Sequence, residues 1–133
     1  MKNFPMILLV ALGSHANAAC WKSISESNNA VISIDDCSIA KDGVYRKAWL
    51  KWDFNSLQET SDYPVKKYIQ ALTLDYFNCS TRKTASVQGI YRDEDGNTIK
   101  SESIQVGRVS FDEVAPETVA ETYMNYVCKK KNR

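Results

Sequence analysis

Four cysteines, widely and unequally spaced, constrain this chain more than any other feature. They stand at Cys20, Cys37, Cys79 and Cys128 in a sequence of 133 residues, and no two form a CxxC pair. Structural zinc sites draw on closely spaced cysteine and histidine ligands. Here the one histidine, His15, falls in an N-terminal segment that reads as a leader. No metal or cofactor is therefore expected. In a small exported domain an even number of cysteines reads as disulfides. Four cysteines allow three pairings, and spacing alone does not choose among them. The favoured pairing is Cys20 with Cys37 and Cys79 with Cys128, whose loops contribute about 3 and about 4 kcal/mol on the chain-entropy model.

Export is indicated by the N-terminus. Lys2 supplies a positive start, Phe4 to Leu12 form a short apolar run broken only by Pro5, and Ala16-Asn17-Ala18 has the small-x-small pattern of a signal-peptidase site. Such a run is too short for a bilayer core that needs about 20 residues. Residues 1–18 are read as a cleavable signal peptide, 19–128 as a single domain and 129–133 as a basic tail. Lipidation at Cys20 is the rival route. It fits poorly, because Asn17 stands where a lipobox usually has leucine and because three cysteines would then remain. The expected location is the periplasm or the outer cell surface.

Charge excludes one broad class. Lysine and arginine number 17 against 16 acidic residues, whereas nucleic-acid binders carry a net basic field. No nucleic acid is expected as a partner, and no later apolar run suggests a membrane span.

Periodicity predicts mostly strand. Ala30–Asp35 is a short first strand between Asn28-Asn29 and Asp35-Asp36. From Val44 to Phe54 the alternation puts Val44, Ala48, Leu50, Trp52 and Phe54 on one face, with Tyr45, Lys47, Trp49, Lys51 and Asp53 on the other. Asn55–Pro64 is polar and reads as a surface loop. Tyr68–Cys79, Thr84–Tyr91 and Thr98–Val106 read as further strands, the last two joined by a hairpin turn through Asp93-Glu94-Asp95-Gly96-Asn97. A helix begins after Pro116, where Thr118 and Glu121 have capping-box spacing. Val119, Tyr123 and Val127, flanked by Ala120, Met124 and Cys128, form its apolar stripe. The fold class is α+β, an antiparallel sheet of five to six strands with one C-terminal helix packed on it.

These residues also carry a resemblance. Trp21, Ile34-Asp35, Trp49-x-x-Trp52-Asp53, the strand end Tyr76-Phe77-Asn78-Cys79, Arg82-Lys83, and Pro116 leading to Tyr126-Val127-Cys128 resemble the surface-adhesin protein E family of Gram-negative bacteria. The resemblance spans nearly the whole chain after the leader. It implies an antiparallel sheet with one packed helix, a Cys79 to Cys128 bridge and, for some members, attachment to host extracellular-matrix proteins.

Chemistry is argued by elimination. Without histidine after the leader, and with its cysteines oxidised, the chain lacks the usual nucleophile and base pairs, so no enzyme is expected. There is no glycine-rich phosphate loop. Asp93-Glu94-Asp95 lacks calcium-loop spacing and reads as a solvated turn. Binding remains. Lys47 and Lys51 flank Trp49 on one strand face, an aromatic anchor between cations, with Lys41, Arg46, Lys66-Lys67 and Arg82-Lys83 as candidates to gather around it. The partner class is a host matrix protein or an acidic glycan. The alternative is a periplasmic module that binds or inhibits another envelope protein.

Overall fold

The computed structural model describes residues 18–130. The expected leader up to residue 17 and the last three tail residues lie outside the described residues. Eight strands form one antiparallel sheet: β1 Trp21–Glu26, β2 Ala30–Asp35, β3 Ala40–Asp42, β4 Tyr45–Glu59, β5 Lys67–Asn78, β6 Lys83–Arg92, β7 Thr98–Ser103 and β8 Asp112–Glu113. The order across the sheet is β1-β2-β4-β5-β6-β7, with β3 paired to β4 and β8 to β6. One helix, α1 (Val119–Lys129), closes the described chain. No helix among the described residues is long and apolar enough to cross a membrane.

Alternation along β4 works as expected at its centre. Ala48 and Leu50 are fully buried and join Ile32, Ile34 and Phe77 beneath the helix residues Tyr123, Met124 and Val127. Phe77 meets Tyr123 edge-on at 5.8 Å between ring centroids. Each large apolar side chain so covered contributes about 1.5–3 kcal/mol. The helix starts where its cap is: the Thr118 hydroxyl accepts from the Glu121 N–H at 3.3 Å. The Glu121 carboxylate accepts in return from the N–H of Glu117, one residue earlier than in the ideal box. Both disulfides are formed, Cys20 to Cys37 and Cys79 to Cys128.

Three expectations are corrected. A strand precedes Ala30–Asp35: in β1 only Ile24 packs on the core, and a bulge between Ser23 and Ser25 breaks the alternation, so the apolar signal of this edge strand is thin. Asn55 does not end β4, which runs on to Glu59 through an irregularity between Asp53 and Gln58 and pairs Gln58 and Glu59 with Tyr68 and Lys67. The backbone ladder continues there with polar side chains. Val44 lies outside the strand, in the turn with Gly43, and is 77% exposed. The β6–β7 hairpin is as expected, with Gly96 at φ +82°, a conformation that costs glycine little.

Arg46 also departs from its expected role. It stands on the helix face opposite Phe77, and its guanidinium donates to the carbonyl of Val127, at 2.8 Å, and to that of Lys130. A cation on otherwise unpaired carbonyls at a helix C-terminus is favourable on both hydrogen-bond and dipole grounds. Arg46→Gln is expected to cost about 1–2 kcal/mol in chemical denaturation. An unchanged midpoint would show that these contacts contribute nothing net.

Candidate binding surface on the face opposite the helix

Strand pleating sends Lys47, Trp49 and Lys51 to the face of β4 away from α1, since their neighbours Ala48 and Leu50 lie under the helix. The register puts Lys47 opposite Tyr76, Trp49 opposite Leu74, and Lys51 between Ser33 and Leu72. Trp49 is half-buried, and its backbone N–H donates to the Ser38 hydroxyl at 2.9 Å.

Each lysine has a neighbour supplied by another strand, Lys51 from the distant β1 and Lys47 from the adjoining β3. Lys51 holds its ammonium 4.6 Å from the ring centre of Trp21, a cation–π contact. Trp21 reaches it because β1 lies against β2 with Trp21 opposite Asp35, and β2 lies against β4. Lys47 stands 4.0 Å from the Asp42 carboxylate, a partly exposed pair that contributes little. Asp42 accepts a hydrogen bond from the Tyr76 hydroxyl at 2.5 Å. That bond to a carboxylate, with burial second, pushes the Tyr76 phenol up to about 12. Tyr45 extends the aromatic row, meeting Tyr76 edge-on at 5.9 Å and stacking on Phe111 at 4.9 Å.

The other expected basic residues do not gather here. Arg46 serves the helix end, and Lys66 donates to the Ile99 carbonyl beyond the far end of β4. Lys67 begins β5 in an exposed position, and Arg82 bonds the Asn125 side chain. Lys83 is paired opposite Glu113, and Lys41 opposite Arg46. The acidic hairpin turn is occupied with itself: one Asp93 carboxylate oxygen accepts from the N–H groups of Asp95, at 3.1 Å, and Asn97, at 2.9 Å.

The tail's first free-looking cation is also spoken for. Asp36, shielded in the 3-10 turn after β2, accepts from Lys130 at 2.9 Å and from the Tyr126 hydroxyl at 2.7 Å, with Lys22 at 3.8 Å. The hydrogen bond from Lys130, then that from Tyr126, holds the Asp36 carboxyl below its ordinary range. Lys130 therefore ties the helix end to the sheet rather than reaching outward. Sequence reading missed this cluster and the Trp21 and Asp42 neighbours. The Asp36 partners Tyr126 and Lys130 lie 90 or more residues away, where no local pattern signals them, and Asp42 comes to Lys47 through the short β3–β4 turn.

Comparison with known proteins places this architecture. The family model described as surface-adhesin protein E matches residues 21–129. A search of curated proteins finds no match. Among solved structures, crystal form II of Haemophilus influenzae protein E superposes with a TM-score of 0.53 at 12% identity, covering 84% of this chain and 95% of that one. Its selenomethionine form gives 0.53 and 12%, covering 79% and 89%. At that identity the superposition speaks for the fold alone. The family is one of adhesins, not of enzymes. With the matched span, the order of strands and helix and the bridge from sheet to helix all in place, the chain belongs to the surface-adhesin protein E family.

Proposed function

We propose that this protein is an exported adhesin that attaches to a host extracellular-matrix protein through the strip Lys47, Trp49 and Lys51. The observation that carries the reading is the position of these three residues on one face of a central strand, opposite the helix, with Trp21 beneath Lys51. A half-buried tryptophan between two cations offers an anchor of large area and a rim that steers an acidic partner. An acidic glycan presented on a matrix protein would meet the same charges. In this reading residues 1–18 are a cleaved leader, 19–128 act as one binding domain and 129–133 are a basic tail.

The test is Trp49→Ala against a panel of immobilised matrix proteins and glycans. The expected loss is about 2 kcal/mol of binding free energy, about thirty-fold in affinity. The melting temperature should fall far less than for Leu50→Ala, which empties the fully buried position on the other face. Lys47→Ala and Lys51→Ala should chiefly slow association and change its salt dependence. Equal binding by Trp49→Ala and the parent would remove the strip as the site. The compartment is tested separately by protease treatment of intact cells: cleavage supports surface display, and full protection supports a periplasmic module acting on another envelope protein.

A further inference from the structure

The helix covers only part of its own sheet face. Beyond it, where β5 and β6 run towards β7, lies a cavity of about 280 Å³ lined by Ser86, Val87, Gly89, Tyr91, Glu102 and Ile104 among others. The register explains the hollow. Gly89 is opposite Thr73 and Glu102 on this face, and a bulge at Ser86-Val87 opens the ladder beside it. Lacking a side chain, Gly89 lets Tyr91 and Glu102 fold across it, and a Cβ there would stand 3.3 Å from the Tyr91 ring. The volume is at the small end of ligand sites.

Two hydroxyls of this cavity have committed their protons to carboxylates; those of Thr73 and Ser103 and the Gln88 side chain line it as well. Ser86 is exposed and donates to the Asp75 carboxylate at 2.7 Å. Tyr91 donates to Glu102 at 2.9 Å. A hydroxyl that has committed its single proton presents only lone pairs to a newcomer. Three acceptors are therefore grouped on one side of the wall: Ser86 Oγ, Tyr91 Oη and the Glu102 carboxylate.

Charge has the same sense. Asp75 is 4% exposed, and no cation is paired with it among the described residues. Its other polar neighbour, Thr73, is close enough to act on it electrostatically, yet makes no hydrogen bond of ordinary geometry. No lysine or arginine lines the cavity. The chain itself shows what suits the far side of the same wall. Tyr91 and Glu102 also border a second hollow, and there Lys100 places its ammonium 5.6 Å from the Tyr91 ring centre and 3.5 Å from Glu102, with Asp62 at 3.2 Å.

We propose that the cavity between the Ser86-Val87 bulge and Glu102 is a binding site for an alkyl-guanidinium or alkyl-ammonium group, carried by a small amine or by an arginine or lysine side chain. The N–H groups meet Ser86 Oγ, Tyr91 Oη and Glu102, the alkyl stem lies against Val87 and Ile104, and Asp75 supplies charge from below. An anion would meet Asp75 and Glu102 with no cation lining the cavity, Lys100 reaching Glu102 only from the second hollow, and a ligand rich in acceptors would face the lone pairs of Ser86, Tyr91 and Glu102.

The experiment is amide-resolved NMR titration of the disulfide-bonded protein with agmatine, with acetate and glucose as controls and Gly-Arg-Gly as a further arm. Agmatine should give saturable shifts at Ser86–Gly89 and Glu102–Ile104, and the controls should not. Tighter binding of Gly-Arg-Gly than of agmatine identifies a protein side chain as the source, and weaker binding a small amine; both sustain the shared chemistry. Glu102→Gln and Asp75→Asn, each with an intact thermal transition, should weaken agmatine binding about ten-fold. Absent or unsaturable shifts, equal shifts with glucose, or unchanged affinity in both variants would overturn the proposal. Trp49→Ala leaves this site untouched, so its failure and that of the adhesive strip are separable.

Discussion

Replacing Cys79 and Cys128 together by alanine is expected to lower folding stability by about 4 kcal/mol, read as the change in denaturation midpoint without reductant. The bridge spans 49 residues, and in the unfolded chain that closed loop forfeits much conformational freedom. Local structure gives the helix little help. At 11 residues it is too short to hold by itself in water, so it persists through docking. Docking rests on Met124, Val127 and Tyr123 against the sheet, and on the bridge at the rim of that cluster. The Cys20 and Cys37 pair closes only 17 residues and is expected to cost about 3 kcal/mol when removed. A larger loss from the shorter loop would mean that native packing, rather than loop closure, dominates both bridges.

Asp75→Asn should stabilise the protein at neutral pH, by about 2 kcal/mol. Burial, only partly offset by the hydrogen bond from Ser86 and the nearby Thr73 hydroxyl, pushes the Asp75 carboxyl up to about 6 in the folded state, against an ordinary 3.8. Between those values the folded protein binds more protons than the unfolded chain, so stability rises as pH falls from about 6 towards 4 and is lost again on the way up. Above about 6 the native state carries a buried charge worth about 3 kcal/mol against it, and asparagine removes that charge while still accepting from Ser86. Asp36 acts in the opposite sense. Its folded value is held low by Lys130 and Tyr126, so its contribution is present above the ordinary carboxylate range and disappears in stronger acid. The parent should be most stable near pH 4–5, with Asp75→Asn flat from there to neutrality. Denaturation midpoints at pH 4.5 and 7.5 check this, and equal midpoints for the parent at the two values would refute it.

Much of the fold was legible in local pattern. Thr118 and Glu121 marked the helix start, the four-residue recurrence of Val119, Tyr123 and Val127 marked its buried side, and alternation from Ala48 to Phe54 assigned both faces of β4. What escaped depended on partners distant in sequence. Arg46 looked like one more surface cation because its acceptors are helix carbonyls more than 80 residues on. Asp75 looked like an ordinary polar position, although its register opposite Ala48 puts it on the buried face. Ser86 and Glu102 drew no attention, since a serine and a glutamate in strands signal nothing until a bulge and a bare glycine open a hollow beside them. The strip at Lys47, Trp49 and Lys51 was legible as a pattern, but Trp21 came to it only through the pairing of β1 with β2.

The two bridges also decide how the molecule bears a pull. Tension applied between the chain's ends passes from Cys20 directly to Cys37 and from Cys79 directly to Cys128. The segments within those loops, including β1, β6, β7 and nearly all of α1, stay slack however hard the ends are drawn. Between Cys20 and Cys128 only the stretch from Cys37 to Cys79 can lengthen, to about 14 nm at full extension. That stretch is β3, β4 and β5, so the strand bearing Lys47, Trp49 and Lys51 is also the strand through which the load runs.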